Sequence, residues 1–150
     1  MKRDFLMKCG IDPGRYKIGF ALIDEENLLF SAIVPKSEEV KLAEAIENND
    51  WILLSEWSKE GSVDSVLGKV AGKILLGDGT SHDETKKLLK DSIKVEIVSE
   101  YGTTLKAREL YWQLHPPKWL WKIVPTSLRV PPRDIDDLAA WAIVILNTNK

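Results

Sequence analysis

The chain has 150 residues, 44% hydrophobic and 29% charged, with a net charge of −2. That length reads as one domain whose core is large enough to stand without staples. One cysteine excludes an internal disulfide and, with two histidines, argues against structural zinc, while no stretch approaches the ~20 apolar residues that span a bilayer. Residues 1–8 carry charges with no long apolar run behind them, so no signal peptide is expected. The expectation is a single α/β domain over residues 1–150, cytoplasmic and without a membrane partner.

In chain order, Phe5 to Ile11 reads as a strand and Asp12-Pro13-Gly14-Arg15 as a turn. Lys17 to Asp24 and Leu28 to Val34 read as two further strands joined by a short hairpin, and Pro35 ends the meander. From Ser37, a candidate N-cap, the apolar spacing of Val40, Ala43 and Ile46 predicts a helix fading near Asn48-Asn49. Residues 51–57 and 63–70 also read as helical. Ala71 to Leu76 reads as a buried strand closed by Gly77-Asp78-Gly79, followed by a helix over 82–90 and a fifth strand over Val95 to Val98. A helix is predicted from Thr103 or Thr104 to Leu114, where Pro116-Pro117 stops it. Residues 118–133 form a loop region, and Asp134 caps a last helix through Leu146. The implied object is a mixed five-stranded sheet, with β1-β2-β3 antiparallel and the fourth and fifth strands parallel, and helices on both faces.

Charge is unevenly spread. Residues 36–64 hold eight acids against three bases, and residues 101–133 hold six bases against one acid. The basic segment is a candidate polyanion-binding face, or simply a solvated surface. Trp112, Trp119 and Trp121 alternate there with cations, a pattern that suits stacking on unpaired bases or packing over the core.

Three acidic positions are placed to do chemistry. Asp12 stands at the end of a strand expected to be central, where α/β folds keep their sites. Glu100 follows the 95–98 strand and would emerge at the same crest if that strand runs parallel to the first. Asp134, Asp136 and Asp137 open the last helix, more acid than capping needs. Each has a plainer reading as a turn or helix-end residue. Gathered together, such carboxylates repel one another unless a cation neutralises them, and oxygen donors alone select Mg²⁺ or Mn²⁺. Arg15 and Lys17 follow Asp12 closely enough to hold a phosphate.

The motifs Gly10-Ile11-Asp12-Pro13-Gly14 through Gly19, Leu75-Leu76-Gly77-Asp78-Gly79, Glu100-Tyr101-Gly102-Thr103-Thr104 with Ala107, and Asp136-Asp137-Leu138-Ala139-Ala140 occur in the order seen in one family. Over nearly its whole length the chain resembles the YqgF/RuvC-like, Holliday-junction-resolvase-like branch of the RNase H superfamily. The resemblance implies an RNase H-like fold and a Mg²⁺- or Mn²⁺-dependent nuclease acting on junction DNA or structured RNA, as a monomer or homodimer. It implies catalytic and metal-binding roles for Asp12, Glu100 and Asp136 or Asp137; Asp136 matches the YqgF pattern and Asp137 a RuvC-like register. Arg15, Lys17, Lys106, Arg108, Lys118, Lys122, Arg129 and Arg133 are the expected nucleic-acid contacts. The chain departs from the family in reading Ser99-Glu100-Tyr101 for Asp-Glu-Arg and in lacking an acid within residues 73–76. The alternative expectation is a non-catalytic nucleic-acid-binding or ribosome-assembly module of the same fold.

Overall fold

The computed structural model describes residues 6–117, 123–125 and 129–148. Three strands, β1 (Leu6–Pro13), β2 (Lys17–Asp24) and β3 (Asn27–Pro35), are followed by α1 (Glu39–Asn48) and a 3-10 helix over Trp51–Trp57. Then come β4 (Ser58–Gly61), β5 (Val70–Gly77), α2 (His82–Leu88), β6 (Val95–Val98), α3 (Thr103–Leu114) and α4 (Asp136–Thr148). The strands form one mixed α/β sheet in the order β4-β3-β2-β1-β5-β6. Pairs β1–β2, β2–β3 and β3–β4 are antiparallel, whereas β5 runs parallel to both β1 and β6.

The sheet has six described strands, not five. The addition, Ser58-Lys59-Glu60-Gly61, pairs with β3 through Phe30↔Gly61, Ser31↔Glu60 and Ala32↔Ser58. It is short, polar and at the edge, and so carries none of the apolar alternation by which strands are recognised. Residues 63–70 are not a helix either. Val63–Ser65 make one 3-10 turn, Gly68 takes φ +80°, and β5 begins at Val70. Ser37 does not cap α1, because Lys36–Glu38 form a 3-10 turn ahead of it with no side-chain cap.

Two apolar layers sandwich the sheet. One face buries Cys9, Ile11, Phe20, Phe30 and Val34 against Leu42 and Ile46 of α1 and Trp51 and Leu54 of the 3-10 helix. The other buries Ala21, Ile23 and Leu75 against Ala107 and Leu110 of α3 and Leu138, Trp141 and Val144 of α4. Strand β2 feeds both layers, so its run from Ile18 to Ile23 is buried throughout.

Helix α4 lies directly on β1 and β2 because two glycines let it. A Cβ on Gly10 would strike the Ala140 carbonyl and come within 2.8 Å of Val144 Cγ2. A Cβ on Gly19 would overlap the Asp136 carbonyl and lie 3.0 Å from the Asp137 nitrogen. The obstacle is backbone, which cannot swing aside. Gly19→Ala should therefore cost roughly 1–3 kcal/mol or more, read as a lower denaturant midpoint with an unchanged slope. An unchanged midpoint would mean that α4 does not press on β2 here.

Candidate active site

The site is assembled at one end of the central strands. Asp12 is the penultimate residue of β1, paired with Gly19 on β2. Its neighbour on the other side is β5, where Ile11 pairs with Leu76 and Gly77 follows. Glycine therefore stands on both flanks of Asp12. Over Gly19 the first turn of α4 descends and brings Asp136. Over Gly77 and Gly79 lies the Glu100 side chain: a Cβ on Gly77 would fall 2.6 Å from Glu100 Oε2. Because β6 is parallel to β5, and β5 to β1, the chain leaving Val98 reaches Glu100 at the same end of the sheet as Asp12.

The turn carrying Glu100 is tied at several points. The Glu100 amide donates to Asp78 Oδ1 (3.1 Å), Tyr101 N to Ser99 Oγ (3.0 Å), and Thr103 N and Oγ1 both to the Glu100 carbonyl (3.1 and 2.9 Å). Asp78 thus clamps the Glu100 backbone. Gly102, at φ +82°, turns the chain into α3.

Asp12 senses both Glu100 and Asp136. Burial pushes the Asp12 carboxyl up to about 8, helped by the charge of Glu100 and a side-chain hydrogen bond with it, and by the charge of Asp136. Burial likewise raises Asp136, against the opposing charge of Lys17 3.7 Å away. Two carboxylate oxygens, Glu100 Oε2 and Asp136 Oδ2, are buried with no hydrogen-bond partner among the described residues. Buried carboxylate oxygens of this kind call for an explanation; Lys17 Nζ, 3.7 Å from the Asp136 oxygen, supplies it with a counter-charge beyond hydrogen-bond reach, and a hard cation is what their chemistry would accept. Cys9 is no competing donor: it is buried in the opposite layer. Among the described residues, however, no three His, Cys, Asp or Glu side chains are arranged to hold a metal ion as they stand.

Asp137 is not with the other three. It is fully buried and accepts Ser31 Oγ at 2.6 Å and both terminal nitrogens of Arg133, at 2.8 and 3.3 Å. Arg133 also reaches Glu60 at 2.7 Å, and Glu60 meets His115 Nε2 at 2.7 Å. Burial opposes ionisation of Glu60, but the hydrogen bonds from His115 and Arg133 outweigh it and hold the carboxyl below its ordinary value. This network joins β3, β4, α3 and α4, and the sequence analysis missed it. Its one signal, a buried Ser31 on an apolar strand, needs the tertiary partner to acquire meaning. Asp134 is exposed, outside α4, and pairs with Lys17.

The expected nucleic-acid contacts divide. Arg15 is exposed on the turn after Asp12. Arg108 lines an open groove of ≈640 Å³ running to Asp136. Lys17 is engaged with Asp134 and Asp136, and Lys106 with Glu109 at 3.4 Å. Arg133 and Arg129 serve the fold, the latter donating to the Val124 carbonyl at 2.8 Å. Lys118 and Lys122, with Trp119 and Trp121, lie outside the described residues. Trp112 stands edge-on to Tyr111 and packs into the α3–α4 layer. A comparison with protein-family models finds no match for this chain, and a search of curated proteins finds no similar one.

Proposed function

We propose that the chain is a divalent-metal-dependent nuclease of RNase H-like fold, related to the Holliday-junction-resolvase-like branch. One observation carries this reading: the buried Asp12 carboxyl is raised by two acids remote in sequence, Glu100 and Asp136, and each of these has a buried oxygen with no hydrogen-bond partner among the described residues. The sheet order, with β1 between an antiparallel hairpin and two parallel strands, supports the fold assignment. Asp12, Glu100 and Asp136 would hold Mg²⁺ or Mn²⁺. When bound, such an ion supplies an activated water and a counter-charge for the leaving oxygen of a phosphodiester. The chain's own residues prepare the pocket. Gly19 and Gly77 admit the two flanking acids, Asp78 holds the Glu100 backbone, and Lys17 steadies Asp136. Asp137 anchors α4 and takes no part in binding the ion.

The test is a cleavage panel of four-way junction, duplex and single-stranded DNA and RNA with Mg²⁺ or Mn²⁺. Cutting that needs the metal and disappears on chelation supports the reading. Salt-sensitive binding with no cutting anywhere in the panel supports the second reading, a non-catalytic binding module. That alternative has one observation in its favour, the lack of a ready three-ligand arrangement among the described residues.

Glu100→Gln provides a further check. It removes a charge facing Asp12 while keeping the side chain's shape, so the Asp12 carboxyl should fall back toward its ordinary range. NMR titration of the Asp12 side chain would register this, and an unmoved value would mean that Glu100 does not face it.

A further inference from the structure

Two tyrosines beside the carboxylates are exposed far beyond what an aromatic side chain normally is. Tyr16 is 78% and Tyr101 92% exposed, whereas Tyr111 in the α3–α4 layer is 7% exposed. Both stand on pinned backbone. The Tyr16 carbonyl accepts the Lys36 amide at 2.9 Å, and the Tyr101 amide donates to Ser99 Oγ in the turn that carries Glu100. Tyr16 is four residues past Asp12, and Tyr101 adjoins Glu100. The sheet order β2-β1-β5-β6 sets their turns on opposite flanks of the end of β1.

Beyond Tyr101, the first turns of α3 form one wall of the open groove, through Thr104 and Arg108, and Pro131 and Asp136 form the other. The end of β1 that carries Asp12 thus has an exposed tyrosine on the turn at each flank. Arg15 is exposed on the same turn as Tyr16, and Arg108 lines the groove. Aromatic faces interleaved with cations match a strand whose bases are unpaired, since every base has a face to stack and every link a phosphate. A continuous duplex keeps its bases stacked on each other and offers the rings only backbone and groove edges.

We propose that the site takes nucleic acid that is single-stranded or locally unpaired, with one base stacked on Tyr16 and another on Tyr101. This rests on the nuclease reading only for the position of the scissile phosphodiester, between the two rings at Asp12 and Glu100.

The experiment measures binding of fluorescein-labelled single-stranded oligonucleotides, one DNA and one RNA, and of the corresponding blunt duplexes. Fluorescence anisotropy is read on the full chain with EDTA present, so that cutting does not interfere. At least one single strand should bind about tenfold more tightly than its duplex. Tyr16→Ala and Tyr101→Ala should each weaken that binding about tenfold, and Tyr16→Phe and Tyr101→Phe should restore it, because stacking needs the ring and not the hydroxyl. Equal affinity for duplex and single strand, or alanine variants that bind like the parent, overturns the inference. The two sugars decide between DNA and RNA. If the tyrosine-dependent binding appears but no metal-dependent cutting does, the nuclease reading fails and the stacking site stands. If the alanine variants bind and cut single strands at the parental affinity and rate, the stacking site fails and the nuclease reading stands.

Discussion

Asp12→Asn should abolish metal-dependent cleavage and, at the same time, make the protein more stable. The loss should exceed the ~10–100-fold typical of removing a group that merely supports a metal ligand, because Asp12 stands between the other two acids. The gain follows from linkage. The Asp12 carboxyl is raised by burial and by Glu100 to about 8, above its unfolded value of 3.8. A group whose folded pKa is raised binds its proton more tightly when folded, so its contribution to stability is full below the unfolded value and is lost as pH rises through the folded one. Between about pH 4 and pH 8 the parent protein should therefore lose stability progressively, where the asparagine variant does not. The difference in Tm between them should be near zero at pH 4 and largest at pH 8, each kcal/mol appearing as about 2–4 °C in a chain of this size. Mg²⁺ should close the gap by stabilising the parent alone. A variant that keeps its activity, or that is less stable than the parent at pH 8, would remove Asp12 from the centre of the site.

Arg133→Ala should cost about 3 kcal/mol or more, the scale seen when a buried charge loses its partner. Asp137 is fully buried and would keep only the Ser31 hydroxyl, while Glu60 would keep His115. At 2–4 °C per kcal/mol, Tm should fall by about 6–12 °C. The double change Arg133→Met with Asp137→Leu should recover much of the loss, since it removes both charges and restores apolar packing. Arg15→Ala should do the reverse: Tm unchanged, nucleic-acid affinity and its salt dependence reduced. This pair separates a cation that holds α4 in place from one that faces solvent beside the carboxylates. Equal stability of the Arg133→Ala variant and the parent would refute the structural role.

Much of the chain's architecture is local and was legible in its residues. Apolar runs bounded by Pro13-Gly14 and Pro35 mark the first three strands, and the 3.6-residue spacing of Leu138, Trp141, Ala142 and Ile145 marks α4. Asp12, Glu100 and Asp136 were likewise readable as strand-end and helix-start acids, because each position follows from where its own element stops. That they come to one end of the sheet was expected only on the condition that the strand before Glu100 runs parallel to the first. It depends on the parallel pairing of β5 with β1 and β6, and on Gly10 and Gly19 letting α4 sink onto the sheet.

What the sequence by itself determined is the alternation of strands and helices and the supply of acids at their ends, since propensity and periodicity act within a few residues. Only the tertiary structure decided which acid does what. Asp136 and Asp137 are adjacent in the chain and chemically alike, yet one turn of helix points them to different places. One acts on Asp12 by its charge and faces Lys17, its Oδ2 without a hydrogen-bond partner among the described residues, and the other meets Ser31 and Arg133 with both oxygens bonded. Arg133 and the strand Ser58–Gly61 were decided the same way, by partners about 30 to 70 residues away that no local pattern encodes.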